Sequence, residues 1–139
     1  MPTAFIRINQ DELGSRKKCE LKCREAINDN KIPIIDRCNF DYVQRKHFLD
    51  MGTEFGIQVH CVIFRYSREV CIERCRKRVH HQTIKKGGEA AVVTRVANSF
   101  SSPESKMFHV VKTITSFEES ENVAFYYLNK LRNLSDVRF

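Results

Sequence analysis

Residues 31–52 read KIPIIDRCNFDYVQRKHFLDMG, and this stretch decides the fold. It begins with a short, continuous apolar run at residues 31–36, which is typical of a buried strand in a parallel sheet. Asp41 is placed to cap a helix that we expect to run to about Gly52, with apolar positions at helical spacing. Because Pro33 cannot donate to a sheet ladder, it indicates a strand start or an edge left unpaired on one side.

The alternation of strand and helix continues on both sides of this stretch. Upstream, residues 4–9 (AFIRIN) predict a strand, and residues 15–30 predict a helix. Downstream, residues 57–66 (IQVHCVIFRY) are the strongest predicted strand, because they are rich in β-branched and aromatic residues. The other predicted elements are a helix from Ser67, a helix at 89–98, a strand at 108–115 and a closing helix at 117–132. This order predicts one α/β domain over residues 1–139, with three layers and a mainly parallel sheet covered by helices on both faces.

The charge balance indicates an anionic partner such as nucleic acid or a phosphorylated ligand. Lys and Arg together number 24 and Asp and Glu 17, which gives a net charge of +7. The cations are clustered, which favours this interpretation over that of a merely basic soluble protein. No apolar run of about 18 residues occurs, and the start lacks the apolar core of a signal peptide. We therefore expect an intracellular protein that does not act in a membrane, nuclear rather than cytoplasmic.

Four of the six cysteines form two Cys-x3-Cys pairs, Cys19 with Cys23 and Cys71 with Cys75. On a helix this spacing puts both sulfurs on one face, where zinc could use them together with His80 and His81. The spacing is not typical of a zinc finger, and small thiols commonly face a core. We therefore expect no metal site.

Two acids follow predicted strands, at the sheet edge where open α/β sheets bind ligands. Asp11 comes just after the first strand and could act as a base toward a hydroxyl. The alternative is a turn acid that caps the next segment. Asp36 ends the second strand and could hold magnesium through water or grip a substrate group. Many apolar strands end in this way, so the second signal is weak by itself.

Two clusters of cations are candidates for phosphate contacts. Arg74 and Arg78 are four residues apart on one predicted helix face, and two guanidiniums suit a polyphosphate. They begin a basic, lid-like segment at residues 74–90, which also contains Arg76 and Lys77. The alternative is a solvated helix end, where cations are favoured by the helix dipole.

The second cluster is Arg16, Lys17 and Lys18, at a helix start where cations are unfavourable. That cost indicates contacts to nucleic-acid phosphates, although an exposed surface run is equally consistent.

The chain resembles the polynucleotide 5′-kinase branch of the P-loop kinases, in particular the kinase-like domain joined to aprataxin-type proteins in plants and some fungi. The matching stretches are NQDELGSRKKCELKC, IIDRCNFDYVQRKHF and VCIERCRKR. A weaker match runs through GGEAAVVTRV to ENVAFYYLNKL, so nearly the whole chain is covered.

The resemblance implies a role for each candidate residue. Asp11 matches the ancestral general base for a 5′-hydroxyl. The segment that binds the substrate end matches Asp36, Arg37 and Asn39. The lid arginines that approach the ATP phosphates match Arg74 and Arg78.

The sequence departs from this family at its phosphate-binding loop. None of the five glycines begins a G-x-x-x-x-G-K-[ST] pattern, whose amides and lysine hold the β and γ phosphates. We therefore expect no cofactor on this chain, and ATP with magnesium only if the loop is supplied from elsewhere. The resemblance also implies that a central strand before the loop is missing, so strands 31–36 and 57–66 would face a gap. Either these strands pair directly, or another chain or a second copy supplies a strand.

Three functions follow from these observations. The first is a non-catalytic kinase-like module that binds nucleic acid, a phosphorylated ligand or a protein partner, linked to DNA or RNA end processing. The second is an ATP-dependent polynucleotide 5′-hydroxyl kinase completed by a loop from elsewhere, and the third is a scaffold. We favour the first, because phosphoryl transfer depends almost wholly on positioning the phosphates.

Overall fold

The computed structural model describes residues 2–78 and 84–136, and strands and helices alternate along them. A single 3-10 turn, Ser105–Met107, precedes the last strand. The elements in chain order are β1 (Phe5–Asn9), α1 (Gln10–Leu13), α2 (Arg16–Asn28), β2 (Ile32–Asp36), α3 (Tyr42–Phe55), β3 (His60–Phe64), α4 (Arg68–Lys77), α5 (Glu89–Ser99), β4 (Val110–Ile114) and α6 (Phe117–Asp136).

The strands pair in parallel, which agrees with the predicted α/β fold. β1 lies beside β2, with Asn9 opposite Asp36 at their carboxyl ends. β3 lies beside β4, with Phe64 opposite Ile114. In each pair a helical crossover connects the strands, as parallel pairing requires.

The described strands form two two-stranded sheets, β1 with β2 and β3 with β4. Direct pairing of strands 31–36 and 57–66, one of the two arrangements considered for the gap, is therefore not found among the described residues. A strand supplied by another chain or by a second copy stays a prediction. Pro33 lies inside β2 opposite Ile6, in a strand with one paired neighbour, which is where proline is tolerated.

The chain divides into two compact units. The first runs to Arg37 and resumes at Ser116, and the second is Cys38–Thr115. In the first unit the most buried apolar side chains are Ile8, Cys19, Cys23 and Ala26, and in the second they are Met51, Ile63 and Ile114. The extent of the predicted single domain, residues 1–139, stays a prediction.

Three predicted helix starts are made by side-chain caps. Ser15 accepts a hydrogen bond from the Lys18 amide at 3.3 Å, and Asp41 accepts one from the Gln44 amide. Ser67 caps α4 in the same way. Each cap satisfies an amide that the helix leaves without a partner and contributes about 1 kcal/mol.

The predicted end of the helix that begins after Asp41 is wrong. α3 passes through Gly52 and ends at Phe55, and Gly56 follows with a left-handed φ of 64°. Gly52 is required for close packing, because a Cβ there would lie 2.2 Å from Val59 Cγ2. The next strand is also shorter than residues 57–66, since β3 is limited to its pairing with β4.

No helix in residues 2–78 and 84–136 is both long and apolar enough to cross a lipid bilayer.

Candidate functional site

The carboxyl ends of β1 and β2 are joined by Asn9, a largely buried side chain that is 9% exposed. Its Nδ2 donates to Asp36 Oδ2 at 3.0 Å, and its Oδ1 accepts from the Glu12 amide at 3.1 Å. Asn9 therefore fixes the helix that follows β1 against the acid that ends β2.

Asp36 is also bound by Arg7, from the strand beside it. Arg7 donates to Asp36 Oδ2 from Nε at 2.7 Å and approaches it from Nη2 at 2.6 Å. The hydrogen bond and the charge of Asp36 raise the pKa of Arg7, with smaller contributions from Glu12 and Asp11. Any ligand of Asp36 Oδ2 must therefore compete with a guanidinium that is already in place.

Asp11 lies on α1, a short helix that the sequence did not predict. Asn9 caps its start, and Gly14 ends it with a left-handed φ of 85° that favours glycine. The cap hydrogen bonds of α1 and α2 are made by Asn9 and Ser15, and Asp11 occupies the first turn of α1, where an acid is favourable. The side chain of Asp11 is exposed, and its role as a base stays a prediction.

A second tie joins the end of β2 to α1. Arg37 Nε donates to Gln10 Oε1 at 2.6 Å. Together with the Asn9–Asp36 contact, it holds the acidic corner formed by β1, α1 and the end of β2.

Asn39 belongs to the second unit, where its backbone is held by Arg45. Arg45 Nη1 donates to the Asn39 carbonyl at 3.0 Å and Nη2 donates to Ser101 Oγ at 3.2 Å. The Ser101 amide in turn donates to the Phe40 carbonyl at 2.8 Å. Arg45 is only 8% exposed, so it is a structural clamp between two loops. Arg45 was not among the residues expected from the sequence, although it lies in the matching IIDRCNFDYVQRKHF stretch.

The basic end of α4 also lies in the second unit. Its last turn carries Arg74, Arg76 and Lys77, and Arg78 follows as the C-cap residue with extended backbone. Of the pair predicted to share a helix face, only Arg74 is thus on the helix itself. Within the predicted lid at 74–90, residues 79–83 lie outside the described part of the chain.

The three cationic residues at the start of α2 differ in their contacts. Arg16 Nε lies 3.4 Å from Glu20 Oε2, one turn along the helix, so its charge is partly offset. Lys17 and Lys18 have exposed side chains. These two remain candidates for phosphate contacts.

The cysteine pairs do not form a metal cluster in the described residues. Cys19 and Cys23 are buried on α2 and belong to the apolar core. Burial raises the pKa of Cys23 to about 11, so its thiol stays neutral near neutral pH. His80 and His81 lie outside the described residues. Within residues 2–78 and 84–136, no group of three or more His, Cys, Asp or Glu side chains could hold a metal ion.

A cavity of about 450 Å³ lies in the second unit. Its lining includes Val59 and His109, which directly precede β3 and β4. His109 Nδ1 accepts a hydrogen bond from the Val59 amide at 3.0 Å. Since open α/β sheets bind ligands at the carboxyl ends of their strands, this cavity is not the candidate site.

The predicted site residues thus fall into two groups. The first unit contains Asp11, Arg16, Lys17, Lys18, Asp36 and Arg37, and the second contains Asn39, Arg74, Arg76, Lys77 and Arg78. Contacts within the first group join Asp36 and Arg37 to the β1–α1 corner.

The family profile described as "AAA domain" matches residues 6–103, a region that includes both groups of site residues. The chain belongs to the AAA domain family. This AAA domain is similar to the bifunctional polynucleotide phosphatase/kinase of Schizosaccharomyces pombe, with 32% identity over 115 residues. It is also similar to the transcription factor bHLH140 of Arabidopsis thaliana, with 36% identity over 87 residues.

The two relatives are much longer than the matched regions. The match covers 83% of this AAA domain and 27% of the phosphatase/kinase, and it covers 62% of the domain and 9% of bHLH140. The chain therefore spans a minor part of each relative. The family match and the phosphatase/kinase together show a P-loop kinase-like domain of the polynucleotide-kinase-like branch.

Proposed function

We propose that this AAA domain is a non-catalytic kinase-like module that binds nucleic acid through its phosphates and acts in DNA or RNA end processing. The observation that carries the proposal is the exposed cationic end of α4, with Arg74, Arg76 and Lys77 in its last turn. Guanidinium and ammonium groups in one turn suit successive phosphates of a nucleic-acid backbone. The net charge of +7 adds long-range attraction for such a ligand.

The proposal of a non-catalytic module rests on two observations, one on the phosphate-binding loop and one on Asp36. The printed sequence has no G-x-x-x-x-G-K-[ST] loop, and phosphoryl transfer depends on holding the phosphates in place. Asp36 presents oxygens of the kind that magnesium prefers, but its Oδ2 already accepts from Arg7 and Asn9. Both observations support the proposal that this chain by itself does not hold Mg-ATP.

The alternative is a polynucleotide 5′-hydroxyl kinase. The acidic corner favours it, because Asn9 fixes α1, which carries Asp11, against the end of β2, which carries Asp36. Such an enzyme would need the phosphate-binding loop from outside the printed residues, and ATP and magnesium would bind with it.

Nucleic-acid binding is tested by fluorescence anisotropy with a labelled single-stranded oligonucleotide over a range of salt concentrations. We expect the logarithm of the binding constant to fall linearly with the logarithm of salt, by about 0.7 per phosphate contact. Lys77→Glu should weaken binding at low salt and lower this slope by about 0.7, because one phosphate contact is lost.

A matched control is available in Lys106→Glu, in the 3-10 turn before β4. The side chains of Lys77 and Lys106 are 73% and 78% exposed, and each lies beside a glutamate. The two substitutions change the net charge equally, so a difference between them is not an effect of net charge. Equal effects of the two variants on affinity and slope would contradict a binding site at the end of α4.

The absence of catalysis is tested by calorimetry with Mg-ATP and by phosphoryl transfer to a 5′-hydroxyl oligonucleotide. We expect no binding of Mg-ATP with micromolar affinity and no 5′-phosphorylated oligonucleotide. Micromolar affinity for Mg-ATP would overturn the non-catalytic assignment and favour the kinase.

A further inference from the structure

Three side chains form a row at the carboxyl end of β3, in the second unit. The rings of Phe64 and Tyr66 have centroids 6.5 Å apart and are nearly parallel, with an interplanar angle of 23°. The guanidinium carbon of Arg74 lies 4.2 Å from the centroid of the Tyr66 ring. Tyr66 lies two residues beyond β3, and between the two rings the Arg65 amide still donates to the Ile114 carbonyl of β4 at 2.7 Å. The backbone thus continues in an extended course past Phe64, and residues two apart in such a course face the same side.

Phe64 is unusual among large apolar side chains at strand ends because its ring is exposed to solvent. It is 63% exposed, whereas its neighbour Ile63 is buried. Burial of a phenyl ring stabilises a fold, so exposure of one next to a strand end gives up that contribution. An exposed aromatic ring beside cations is the composition of sites that bind single-stranded nucleic acid.

The surroundings of the row are cationic. Arg65 lies between the two rings in the sequence and has an exposed side chain. Arg68, at the start of α4, donates to Asn98 Oδ1 at 2.8 Å. The last turn of α4 adds Arg76 and Lys77, although Lys77 Nζ lies 2.6 Å from Glu73 Oε1 and its charge is partly offset. An apolar protein surface placed on Phe64 would have to remove water from this charge, whereas a nucleic acid supplies phosphates for it.

We propose that Phe64, Tyr66 and Arg74 form a stacking platform for an unpaired base of single-stranded nucleic acid. The base lies on the open face of Phe64, and the adjacent phosphates contact the cations at the end of α4. This inference rests on the proposed nucleic-acid binding and adds the part of the ligand that is recognised, namely the base.

Arg74 has a positioning role in this platform. Its guanidinium lies over the Tyr66 ring, and such a cation–π contact restrains the ring while its charge stays near the backbone of the ligand. A base within a duplex is already stacked on both sides and cannot reach Phe64 without flipping out. The platform therefore selects single strands, overhangs and frayed ends.

The test compares two labelled probes of equal length, an oligothymidylate and an abasic deoxyribose-phosphate oligomer. Both have the same phosphates, so their difference in affinity measures contacts to the bases. We expect the wild-type protein to bind the oligothymidylate about tenfold more tightly, which corresponds to one base stacked on an aromatic ring. Oligouridylate in place of oligothymidylate shows whether RNA is accepted as well as DNA.

Phe64→Ala should remove this tenfold preference and leave binding of the abasic oligomer unchanged. Phe125→Ala is the matched control, because Phe125 on α6 is also 63% exposed but lies outside the row. Phe64→Leu is a second variant that keeps an apolar side chain and removes only the aromatic face. It should also lose the preference, and circular dichroism checks that each variant is folded.

The outcomes separate this inference from the proposed function. Lys77→Glu should weaken binding of both probes by the same factor, since it acts on phosphates. If the wild-type protein binds the two probes equally, or if Phe64→Ala and Phe64→Leu keep the preference, the stacking platform is overturned while phosphate binding stands. If neither probe binds, both proposals are overturned.

Discussion

Replacing Asn9 tests how the acidic corner of the first unit is held together. Asn9→Ala removes the cap of α1 and the hydrogen bond to Asp36 in one step. Losing an N-cap costs about 1 kcal/mol. Losing a hydrogen bond to a carboxylate costs about 1.5–3 kcal/mol when it is buried, and we take about 1 kcal/mol here because Asp36 is partly exposed to water.

We therefore expect Asn9→Ala to lower the free energy of unfolding by about 2 kcal/mol. The assay is urea denaturation followed by circular dichroism, with the denaturant slope compared between variants to show that the same transition is measured. Asn9→Ser is the matched variant, because a serine hydroxyl keeps the cap acceptor but does not reach Asp36. It should cost about half as much, about 1 kcal/mol.

The expected order of decreasing stability is wild type, then Asn9→Ser, then Asn9→Ala. If Asn9→Ala is as stable as the wild-type protein, Asn9 does not hold the corner. If Asn9→Ser costs as much as Asn9→Ala, the contact to Asp36 accounts for the whole effect and the cap contributes nothing.

Two further predictions concern buried groups. Arg45→Ala should lower the free energy of unfolding by about 3 kcal/mol, because the Asn39 carbonyl and the Ser101 hydroxyl lose a buried partner. Arg45→Lys should lower it by less, since a charged donor remains. An equal loss of stability in both variants would argue against a role for the remaining charge. Burial raises the pKa of Cys23 to about 11 from the ordinary value of 9.0, so its contribution to stability is complete below pH 9 and is lost as the pH rises toward 11. In the native protein at pH 8, Cys23 should therefore react with a thiol reagent far more slowly than the exposed Cys38, and mass spectrometry of the labelled peptides would detect a reversed order.

The helix starts could be read from the sequence because capping is local. Ser15, Asp41 and Ser67 each accept from an amide three residues further on, so the cap and its helix lie in one short window. The end of α3 could not be predicted in the same way. Gly52 looks like a terminator in the sequence, but α3 continues through it to Phe55, and the glycine is needed there for its close approach to Val59.

The candidate site was predicted only in part. The acid at the end of β2 follows from the strand pattern, and the likeness to polynucleotide kinases follows from the stretches around Asp11 and Asp36. The contact from Arg7 to Asp36 joins residues 29 apart in the chain. It could have been found only from the parallel register, which puts Arg7 opposite Ile34, two residues before Asp36 and on the same face.

The sequence by itself determined the order of the four strands and of the longer helices, the parallel α/β class and the polynucleotide-kinase-like ancestry, since each depends on patterns within short windows. The tertiary structure decided which side chains meet. Asp36 accepts hydrogen bonds from Arg7 and Asn9. Arg45 joins Asn39 to Ser101. The side chain of Phe64 stays exposed to solvent. The physical reason is that register and packing depend on contacts between distant residues, and Arg45 and Ser101 are 56 positions apart.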